Sequence, residues 1–316
     1  MNQSILCVGE CLIDFFSHEA NVSLKKSQTF IKKAGGAPAN VCAAISKLGG
    51  EAIFLGKVGA DPFGDFLEET LQSVGVHTNL LVKDSSSPTT LAFVSLGEDG
   101  QRDFVFNRGA DANLTLDEIP LEIVGAMKII HFGSATALLT PPFNQTYKEI
   151  FTYAKNNRCF ISFDPNFRTN LWQGREEEFI KIILNYIPHC DFLKVSDEEL
   201  FLLTKEDDIQ KAVSILHRLG ANCIAVTLGK DGTFLSYSGE SSTISSIPIK
   251  AIDTTGAGDA FVGATLYQLS KLEHPKSISF TDWKTIIHFS NKVGAMVCEK
   301  MGAIEAIPSL EEVLSR

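Results

Sequence analysis

The feature that most constrains the fold is the alternation of short apolar runs with amphipathic stretches along most of the chain. "SILCVG" predicts a strand, and "PANVCAAISKLG" predicts a helix with Pro38 near its start and Gly49 at its end. "EAIFLGKVG" and "DPFGDFLEETLQSVG" repeat this order, with Asp61 as the expected N-cap. Later segments continue it: MKIIHFG, PPFNQTYKEIFTYAKNN, CFISFD, EEEFIKIILNYI, DFLKVS, DEELFLLT, IQKAVSILHRLG and CIAVTLG. The alternation predicts an α/β fold, with a mostly parallel central sheet and helices on both faces.

Two regions interrupt this alternation. Residues 13–33 show no clear helix, and residues 89–107 predict two strands joined by a Gly97–Gly100 turn. A hairpin does not join a parallel sheet through a simple crossover. We therefore expect the two regions to form a small separate β-sheet that acts as a lid, with an ordinary surface hairpin as the alternative.

Length and charge limit the classes of function. The 316 residues suit one large α/β domain or two smaller ones, and we predict a single domain over 1–316. The formal net charge of -10 argues against a nucleic-acid partner but leaves room for a small basic pocket.

Targeting signals and cysteine usage predict the compartment. The N-terminus lacks a basic segment before its apolar run, and no apolar run approaches the roughly 20 residues that span a bilayer. The seven cysteines are scattered and contain no C-x-x-C pair, so we expect reduced thiols. These features predict a cytoplasmic protein without a membrane partner.

The run "IDTTGAGDAFVG" at 252–263 combines a Gly-rich turn with an acid at the start of a helix. Gly256, Ala257 and Gly258 let an anion approach the unpaired amides of a helix N-terminus. Asp259 would disfavour simple anion binding, but it suits a base that takes a proton from a hydroxyl attacking a phosphate. The alternative is an ordinary first-turn helix acid after a tight loop.

A second Gly-rich stretch, "AGGAPAN" at 34–40, also precedes a helix. Gly36 exposes backbone amides there, and Asn40 offers both a donor and acceptors. Asp14 follows a strand-like segment. Together these groups could hold several sugar hydroxyls, although each alone is compatible with a turn or a cap.

Motifs of several other enzyme classes are absent from the sequence. It contains no P-loop signature, no G-x-S-x-G, no H-E-x-x-H and no Cys/His cluster. "GAGDAF" does not complete the dinucleotide fingerprint, because Phe261 stands where the third glycine belongs.

"GGAPANVCAAISKLGG" and "DTTGAGDAFVGATL" resemble the two characteristic motifs of the ribokinase-like (PfkB-type) carbohydrate kinases. The resemblance covers nearly the whole chain. "SFDPNFRTNLW", "FLKVSDEELFLLT" and "AVTLGKDG" are most similar to the fructokinases of that family, although 2-keto-3-deoxygluconate kinases share the D-P-N-x-R run. The resemblance implies a ribokinase-like fold, with the hairpin as the lid of the active site.

The resemblance also implies roles for residues around the sugar. Asp259 would be the catalytic base, with an anion hole formed by Gly256, Ala257 and Gly258. Arg168 would lie near the sugar or the transferred phosphate, with a surface ion pair as its alternative. The implied sugar contacts are Asp14, Gly36, Asn40, Phe106 and Arg108.

Nucleotide and metal roles follow in the same way. The resemblance implies a nucleotide site at Thr227, Gly229, Gly232 and Asn291, and the last of these could instead be a helix surface residue. Asp253 and Thr255 match a monovalent-cation site, which makes K⁺ a possible cofactor. Glu199 keeps the acid of the family's N-x-x-E run, which organises Mg²⁺ through water. Ser196 replaces the asparagine of that run.

The resulting hypothesis is a kinase that transfers the γ-phosphate of Mg·ATP to a ketose hydroxyl, with fructose as the expected acceptor. The alternatives are a 2-keto-3-deoxygluconate kinase, a nucleoside kinase or a catalytically silent sugar sensor. The predicted hairpin carries apolar residues on both faces, and an isolated two-stranded hairpin is marginal in water. We therefore also expect a homodimer joined through the lids.

Overall fold

The computed structural model describes residues 4–19, 21–96 and 102–316. The predicted Gly97–Gly100 turn lies outside these residues. The strands are β1 (Ile5–Val8), β2 (Leu12–Ser17), β3 (Phe30–Gly35), β4 (Ala52–Gly59), β5 (His77–Asp84), β6 (Leu91–Leu96), β7 (Arg102–Asn107), β8 (Ile129–Phe132), β9 (Phe160–Phe163), β10 (Phe192–Ser196), β11 (Cys223–Thr227), β12 (Thr233–Tyr237) and β13 (Glu240–Ile244).

Helices connect most of these strands. They are α1 (Ala37–Lys47), α2 (Pro62–Ser73), α3 (Leu121–Gly125), α4 (Phe143–Asn156), α5 (Thr169–Trp172), α6 (Glu176–Ile183), α7 (Asp197–Thr204), α8 (Ile209–Leu219), α9 (Ala257–Ser270), α10 (Phe280–Val297) and α11 (Leu310–Ser315).

The large sheet has the strand order β13-β12-β11-β10-β9-β8-β1-β4-β5. Its pairs are parallel from β11 to β5, and the pairs β11–β12 and β12–β13 are antiparallel. Chain order reverses between β1 and β8, because β1 leads outward to β4 and β5 and the chain then returns to β8. Ligands of open α/β sheets bind at such a reversal, beyond the carboxyl ends of the strands.

Both faces of the large sheet are covered, as the alternation predicts. Along β1, Ile5 and Cys7 belong to a core shared with α1, α9 and α10, whereas Leu6 and Val8 belong to a core shared with α4, α6 and α8. Successive strand side chains point to opposite faces, so an apolar strand buried on both sides serves two cores. The predicted mostly parallel α/β architecture is confirmed.

Helix ends follow the expected chemistry. Asp61 caps α2 by accepting hydrogen bonds from the amides of Phe63 and Gly64, as predicted. Gly49, with φ +88°, follows α1 in a left-handed conformation. These ends fix where α1 and α2 start and stop relative to the strands that they cover.

Strands β2, β3, β6 and β7 form a second sheet in the order β3-β2-β6-β7, which we call the small sheet. Its strands fall in the two regions that interrupt the alternation. On one face, Phe15, Phe30 and Phe93 form an aromatic cluster that contacts Phe63 of α2. The other face points at the carboxyl ends of β1, β8 and β9. Within the described residues, no helix is both long and apolar enough to cross a bilayer.

Candidate active site

A cleft of about 660 Å³ lies between the small sheet and the carboxyl edge of the large sheet. It brings together residues from the two Gly-rich stretches, which are more than 200 positions apart in the sequence. The sequence-predicted residues that line it are Asp14, Gly36, Asn40, Phe106, Arg168, Thr255, Gly256, Gly258 and Asp259. Most of the predicted catalytic and sugar-binding set therefore meets in one place.

The floor of the cleft is the N-terminus of α9. Gly256 caps this helix with φ +77°, and a Cβ at this position would lie 2.7 Å from the Ala303 side chain. The amide of Ala257 donates to the Thr254 carbonyl at 3.3 Å, and the amide of Ala260 donates to the Gly256 carbonyl at 2.8 Å. The Gly258 and Asp259 amides between them have no backbone acceptor among the described residues. Gly258 exposes this end of the helix to the cleft, where the helix dipole and free amides favour an anion.

Asp259 occupies the first turn of α9 and is held by Asn40 of α1. The Asn40 Nδ2 donates to Asp259 Oδ2 at 2.8 Å. Burial raises the pKa of Asp259, while the Asn40 hydrogen bond and the charges of Arg168 and Lys194 act in the opposite direction. A carboxylate with a raised pKa is a stronger proton acceptor, which suits a general base.

Asp14 lies on β2 and lines the side of the cleft that the small sheet forms. Burial raises its pKa to about 7, and the positive charge of Arg168 partly opposes that shift. Arg168 itself is exposed and acts electrostatically on both Asp14 and Asp259. The charges of the predicted base Asp259 and the predicted sugar ligand Asp14 are therefore both coupled to the predicted cation Arg168.

The glycines before α1 allow this approach. A Cβ at Gly35 would lie 2.0 Å from Asp14 Oδ2, and a Cβ at Gly36 would lie 2.4 Å from the Glu10 carbonyl oxygen. Gly36 also has φ +105°, which a residue with a side chain rarely adopts. Both glycines are therefore needed to seat the start of α1 against the ends of β1 and β2.

The small sheet supplies the apolar wall. Phe104 and Phe106 stack with ring centroids 6.0 Å apart, and Phe16 and Val94 line the same side. Arg108 does not line the cleft. Its guanidinium donates to Asp111 at 3.2 Å and to the Thr140 hydroxyl at 2.8 Å.

The predicted nucleotide residues lie beyond the cleft, around the turn after β11. Gly229 has open space where a side chain would be, whereas a Cβ at Gly232 would lie 2.1 Å from the Ile244 carbonyl oxygen. Thr227 ends β11, with its hydroxyl 3.4 Å from the Val195 carbonyl oxygen. The turn is therefore open at Gly229 and tightly packed at Gly232.

Asn291 has a clear structural role. Its Oδ1 accepts from the Thr233 hydroxyl at 2.6 Å, and its Nδ2 donates to the Ile244 carbonyl at 2.8 Å. These bonds tie α10 to β12 and β13. The side chain thus holds the wall of the predicted nucleotide site.

The predicted metal residues are also engaged. Glu199 accepts from the amides of Phe167 and Ser196 at 2.7 and 2.8 Å, and it closes a capping box on α7. Asp253 accepts from the amide and hydroxyl of Thr255 and from the Gly302 amide at 2.9 Å. No cluster of three or more His, Cys, Asp or Glu side chains suited to a metal ion occurs in the described residues.

The residues that line the cleft and that the motif reasoning did not assign include Glu10, Lys194, Asn166 and Thr136. Glu10 is 1% exposed, and it accepts from the Ala37 amide and the Ser134 hydroxyl. Burial raises its pKa. The sequence gives one indication of a role for Glu10, its position soon after the first strand. Residues at that position reach the carboxyl edge of a parallel sheet, where ligands bind.

Lys194, in the middle of β10, forms an ion pair at 3.0 Å with Asp164, which directly follows β9. Burial disfavours its charge, but Asp164, Glu199 and Asp259 outweigh that effect and raise its pKa. In the sequence, the one indication of a role for Lys194 is that it is a charged residue inside an otherwise uncharged strand. Asn166, with φ +51°, donates to the Gly133 carbonyl. This bond joins the loop after β9 to the loop after β8.

The site therefore combines a buried carboxyl group, a helix N-terminus, two cations and an apolar wall. Such a set can accept a proton from a hydroxyl while an anionic group is held at the helix end. Two carboxyl groups near the small sheet can accept hydrogen bonds from further hydroxyls. Together these groups suit phosphoryl transfer to an alcohol.

Comparison with known proteins agrees with this geometry. The model of the pfkB family carbohydrate kinases matches residues 2–310. The chain is 40% identical to fructokinase-1 of Zea mays over 98% of this chain and 96% of that protein.

Solved structures give the same result. The fold matches a fructokinase with bound ATP from Xylella fastidiosa at 30% identity and a TM-score of 0.90, over 100% of this chain and 98% of that one. It also matches a double mutant of fructokinase from Vibrio cholerae O395 in its fructose, ADP and potassium ion bound form. That match has 30% identity and a TM-score of 0.87, over 99% and 97% of the two chains. The chain belongs to the pfkB family of carbohydrate kinases, and its fold is ribokinase-like.

Proposed function

We propose that this protein transfers the γ-phosphoryl group of ATP to a hydroxyl of fructose, giving fructose 6-phosphate and ADP. The observation that carries the proposal is the pairing of Asp259 with Asn40 at the N-terminus of α9. A base beside a helix end has little purpose in a protein that only binds sugar. The fructokinases among its relatives support fructose as the acceptor.

In the proposed reaction, the Asp259 carboxylate takes the proton of the sugar O6 hydroxyl as that oxygen attacks the γ-phosphorus. The new oxygen–phosphorus bond forms as the bond from the γ-phosphorus to its bridging oxygen breaks, and ADP leaves with the bonding electrons. The free amides after Gly256 stabilise the charge on the transferred group. Arg168 adds a positive charge from the exposed side of the cleft.

Asp14, Gly36 and Asn40 hold sugar hydroxyls in this proposal. Asn40 keeps a free acceptor for them, because its Oδ1 is buried and no described residue donates to it. Phe104 and Phe106 close the apolar side of the pocket. Arg108 acts indirectly, since it fixes Asp111, which accepts from the Thr136 hydroxyl at 2.7 Å.

ATP requires Mg²⁺ to neutralise its phosphates. Glu199 would hold the hydrated ion, because Mg²⁺ keeps several waters and binds through few carboxylates. Its two bonds to backbone amides leave further lone pairs for water. Thr227, Gly229 and Gly232 would line the nucleotide, with Asn291 supporting their turn. Asp253 and Thr255 would support K⁺ beside the Gly256 turn.

Three alternatives remain from the sequence. A 2-keto-3-deoxygluconate kinase would need a cation for the substrate carboxylate, and Arg168 is the candidate that lines the cleft. Glu10 and Asp14 line the same wall and favour an uncharged acceptor. No specific contact favours a nucleoside kinase. The Asp259–Asn40 pair argues against a silent sensor.

The small sheet supports the proposal of a lid and of a homodimer joined through the lids. Ile31 and Val105 of this sheet are 41% and 46% exposed. Ile31 lies on the edge strand β3 and Val105 on the opposite edge strand β7. The Phe15 cluster on the outer face packs partly on α2 of the same chain, so a partner would cover one edge of the sheet rather than the whole face. We also propose one domain over 1–316 and a reducing, cytoplasmic location, which the seven free and buried cysteines support.

A coupled assay of ADP production tests the function. The purified protein is incubated with Mg·ATP and a panel of fructose, glucose, ribose, 2-keto-3-deoxygluconate and nucleosides, with and without K⁺. Fructose is expected to give the highest kcat/KM. Product formed at comparable rate with no sugar, or with none of the panel, would contradict the proposal.

A further inference from the structure

Lys194 is a buried cation that the proposed reaction has not used. Its side chain is 11% exposed, and it lines the cleft beside Gly258 and Asp259. A charged group is costly to bury unless it is paired or has a ligand to bind. It is the one charged residue of the strand "FLKVS", between the apolar Leu193 and Val195, and this position calls for such a reason.

The Lys194 ammonium lies against the N-terminus of α9. A Cβ at Gly258 would lie 3.4 Å from Lys194 Nζ and 3.8 Å from its Cε. The ammonium and the free amides of the first turn therefore face the same space. Both attract anions, and they reinforce each other at one point.

Asp164 holds the ammonium in this place. The two groups are 3.0 Å apart, and Asp164 is 4% exposed. Asp164 also accepts from the Asn166 amide at 3.1 Å, which fixes the carboxylate. An ammonium has three donors, and Asp164 is the hydrogen-bond partner that the described residues provide. The remaining donors are available to a ligand in the cleft.

The charges around Lys194 also favour a role in binding an anion. Asp164, Glu199 and Asp259 surround Lys194 and act on its charge. Of these three acids, Asp259 lines the cleft, so without Lys194 a carboxyl group would stand beside the helix end with no buried cation next to it. Arg168 is exposed at the mouth of the cleft, so Lys194 is the cation on its buried side.

We propose that Lys194 is a catalytic residue that contacts the phosphoryl group while it passes from ATP to the sugar, and that Asp164 is its positioning residue. The inference rests on the proposed kinase function. Lys194 donates hydrogen bonds to the equatorial oxygens and takes part in no covalent step. Its contribution is larger in the transition state, where the donors are already oriented and water is excluded.

The competing role for Lys194 is to neutralise Asp164. The variants Lys194→Met, Asp164→Asn and the double variant separate the two roles. If Lys194 contacts the phosphoryl group, Lys194→Met lowers kcat by about 10²-fold or more, and the double variant remains equally slow. If Lys194 only neutralises Asp164, the double variant returns to within about fivefold of the wild type, which overturns the proposal.

Binding measurements add a second readout. Mg·ADP, which lacks the γ-phosphate, is expected to bind the Lys194→Met variant within about threefold of the wild type. Mg·ADP with aluminium fluoride and fructose should bind at least about 30-fold more weakly, because this mixture mimics the transferred group. Equal losses for both ligands would mean a general disruption of the site and would overturn the assignment.

Lys57 is the matched control. It is 8% exposed and pairs with Glu118 at 2.7 Å and with Asp84 at 3.5 Å, outside the cleft. Lys57→Met should lower the thermal midpoint with kcat unchanged.

The double variant of Lys194→Met and Asp164→Asn leaves no unpaired charge, so it decides between the two roles of Lys194 even if Lys194→Met does not fold. A wild-type protein that is inactive on every sugar would contradict the proposed kinase function. An active wild type with an equally active double variant would contradict only the proposed role of Lys194.

Discussion

The Asn40 Nδ2 donates a 2.8 Å hydrogen bond to Asp259 Oδ2, joining the first turns of α1 and α9. The two residues are 219 positions apart in the sequence. The Oδ1 of Asn40 is buried and has no donor among the described residues. In the proposed reaction, Asn40 therefore orients the base with its Nδ2 and can accept from a sugar hydroxyl with its Oδ1.

The first prediction follows from this bond. Asn40→Ala removes a hydrogen bond that lowers the pKa of Asp259, so this pKa should rise further. The acidic limb of the kcat profile is then expected to move to higher pH, with kcat at neutral pH reduced about tenfold. Full pH profiles of the wild type and the variant measure the shift. An Asn185→Ala variant, on the surface after α6, provides the control. A lower kcat with an unmoved acidic limb would contradict the role of Asn40 in tuning Asp259.

The second prediction concerns the base. Asp259→Asn keeps the shape of the side chain but cannot accept the sugar proton, so kcat should fall by roughly 10²–10⁴-fold. The KM for fructose should change little. Steady-state kinetics with purified protein give both values. A loss of activity below about fivefold would show that another group takes the proton.

The third prediction concerns stability and pH. The pKa of Asp14 is about 7 in the folded protein, against 3.8 for the free side chain. The folded state thus holds this proton more tightly, and the free energy of unfolding falls as pH rises from about 4 to 7. Asp14→Asn should remove this loss and raise the free energy of unfolding by about 1–3 kcal/mol at pH 8, with little gain near pH 4.

Urea unfolding at both pH values tests the Asp14 prediction. Glu240→Gln, on the exposed edge strand β13, is the control for loss of a negative charge. Sugar binding should weaken in Asp14→Asn even as the protein becomes more stable. A gain of the same size at pH 4 and pH 8 would exclude titration of Asp14 as its cause.

The fourth prediction concerns the acceptor. Glu10 and Asp14 line the cleft where the proposed acceptor binds. The buried cation Lys194 lies beside Gly258 at the helix end, so a substrate carboxylate next to the two acids would have no buried cation as its partner. Burying an unpaired charge costs several kcal/mol. We therefore expect kcat/KM for fructose to exceed that for 2-keto-3-deoxygluconate by at least about 10²-fold. A preference for the acid sugar would overturn fructose as the substrate but leave the kinase mechanism in place.

The fifth prediction separates the two faces of the small sheet. Phe104 lines the cleft, whereas Val105 is exposed on the opposite face. Phe104→Asp should raise the fructose KM at least about tenfold and leave the oligomeric state unchanged. Val105→Asp should dissociate the lid dimer at micromolar concentration. Sedimentation and kinetics of both variants give the two readouts, and a wild-type species of 34.5 kDa that is fully active would exclude a required dimer.

The sequence by itself determined the α/β class, because a parallel sheet buried on both faces imposes apolar strands between amphipathic helices. It also indicated both Gly-rich turns and Asp259, since glycine at a helix start and an acid beside it have a local chemical meaning. The caps at Asp61 and Gly49 were predictable for the same reason: their partners lie within a few residues.

Tertiary structure alone decided which of the candidate site residues contact one another. The contact of Asn40 with Asp259 depends on how α1 and α9 pack, and no local pattern encodes that packing. Glu10 and Lys194 were missed because a single charge beside a strand has many explanations until its neighbours are known. Arg108 and Asn291 carry polar groups suited to a ligand, yet their bonds to Thr140 and to Thr233, 32 and 58 positions away, depend on long-range contacts. Local chemistry fixes a residue's capability, whereas the path of the backbone through space fixes its partner.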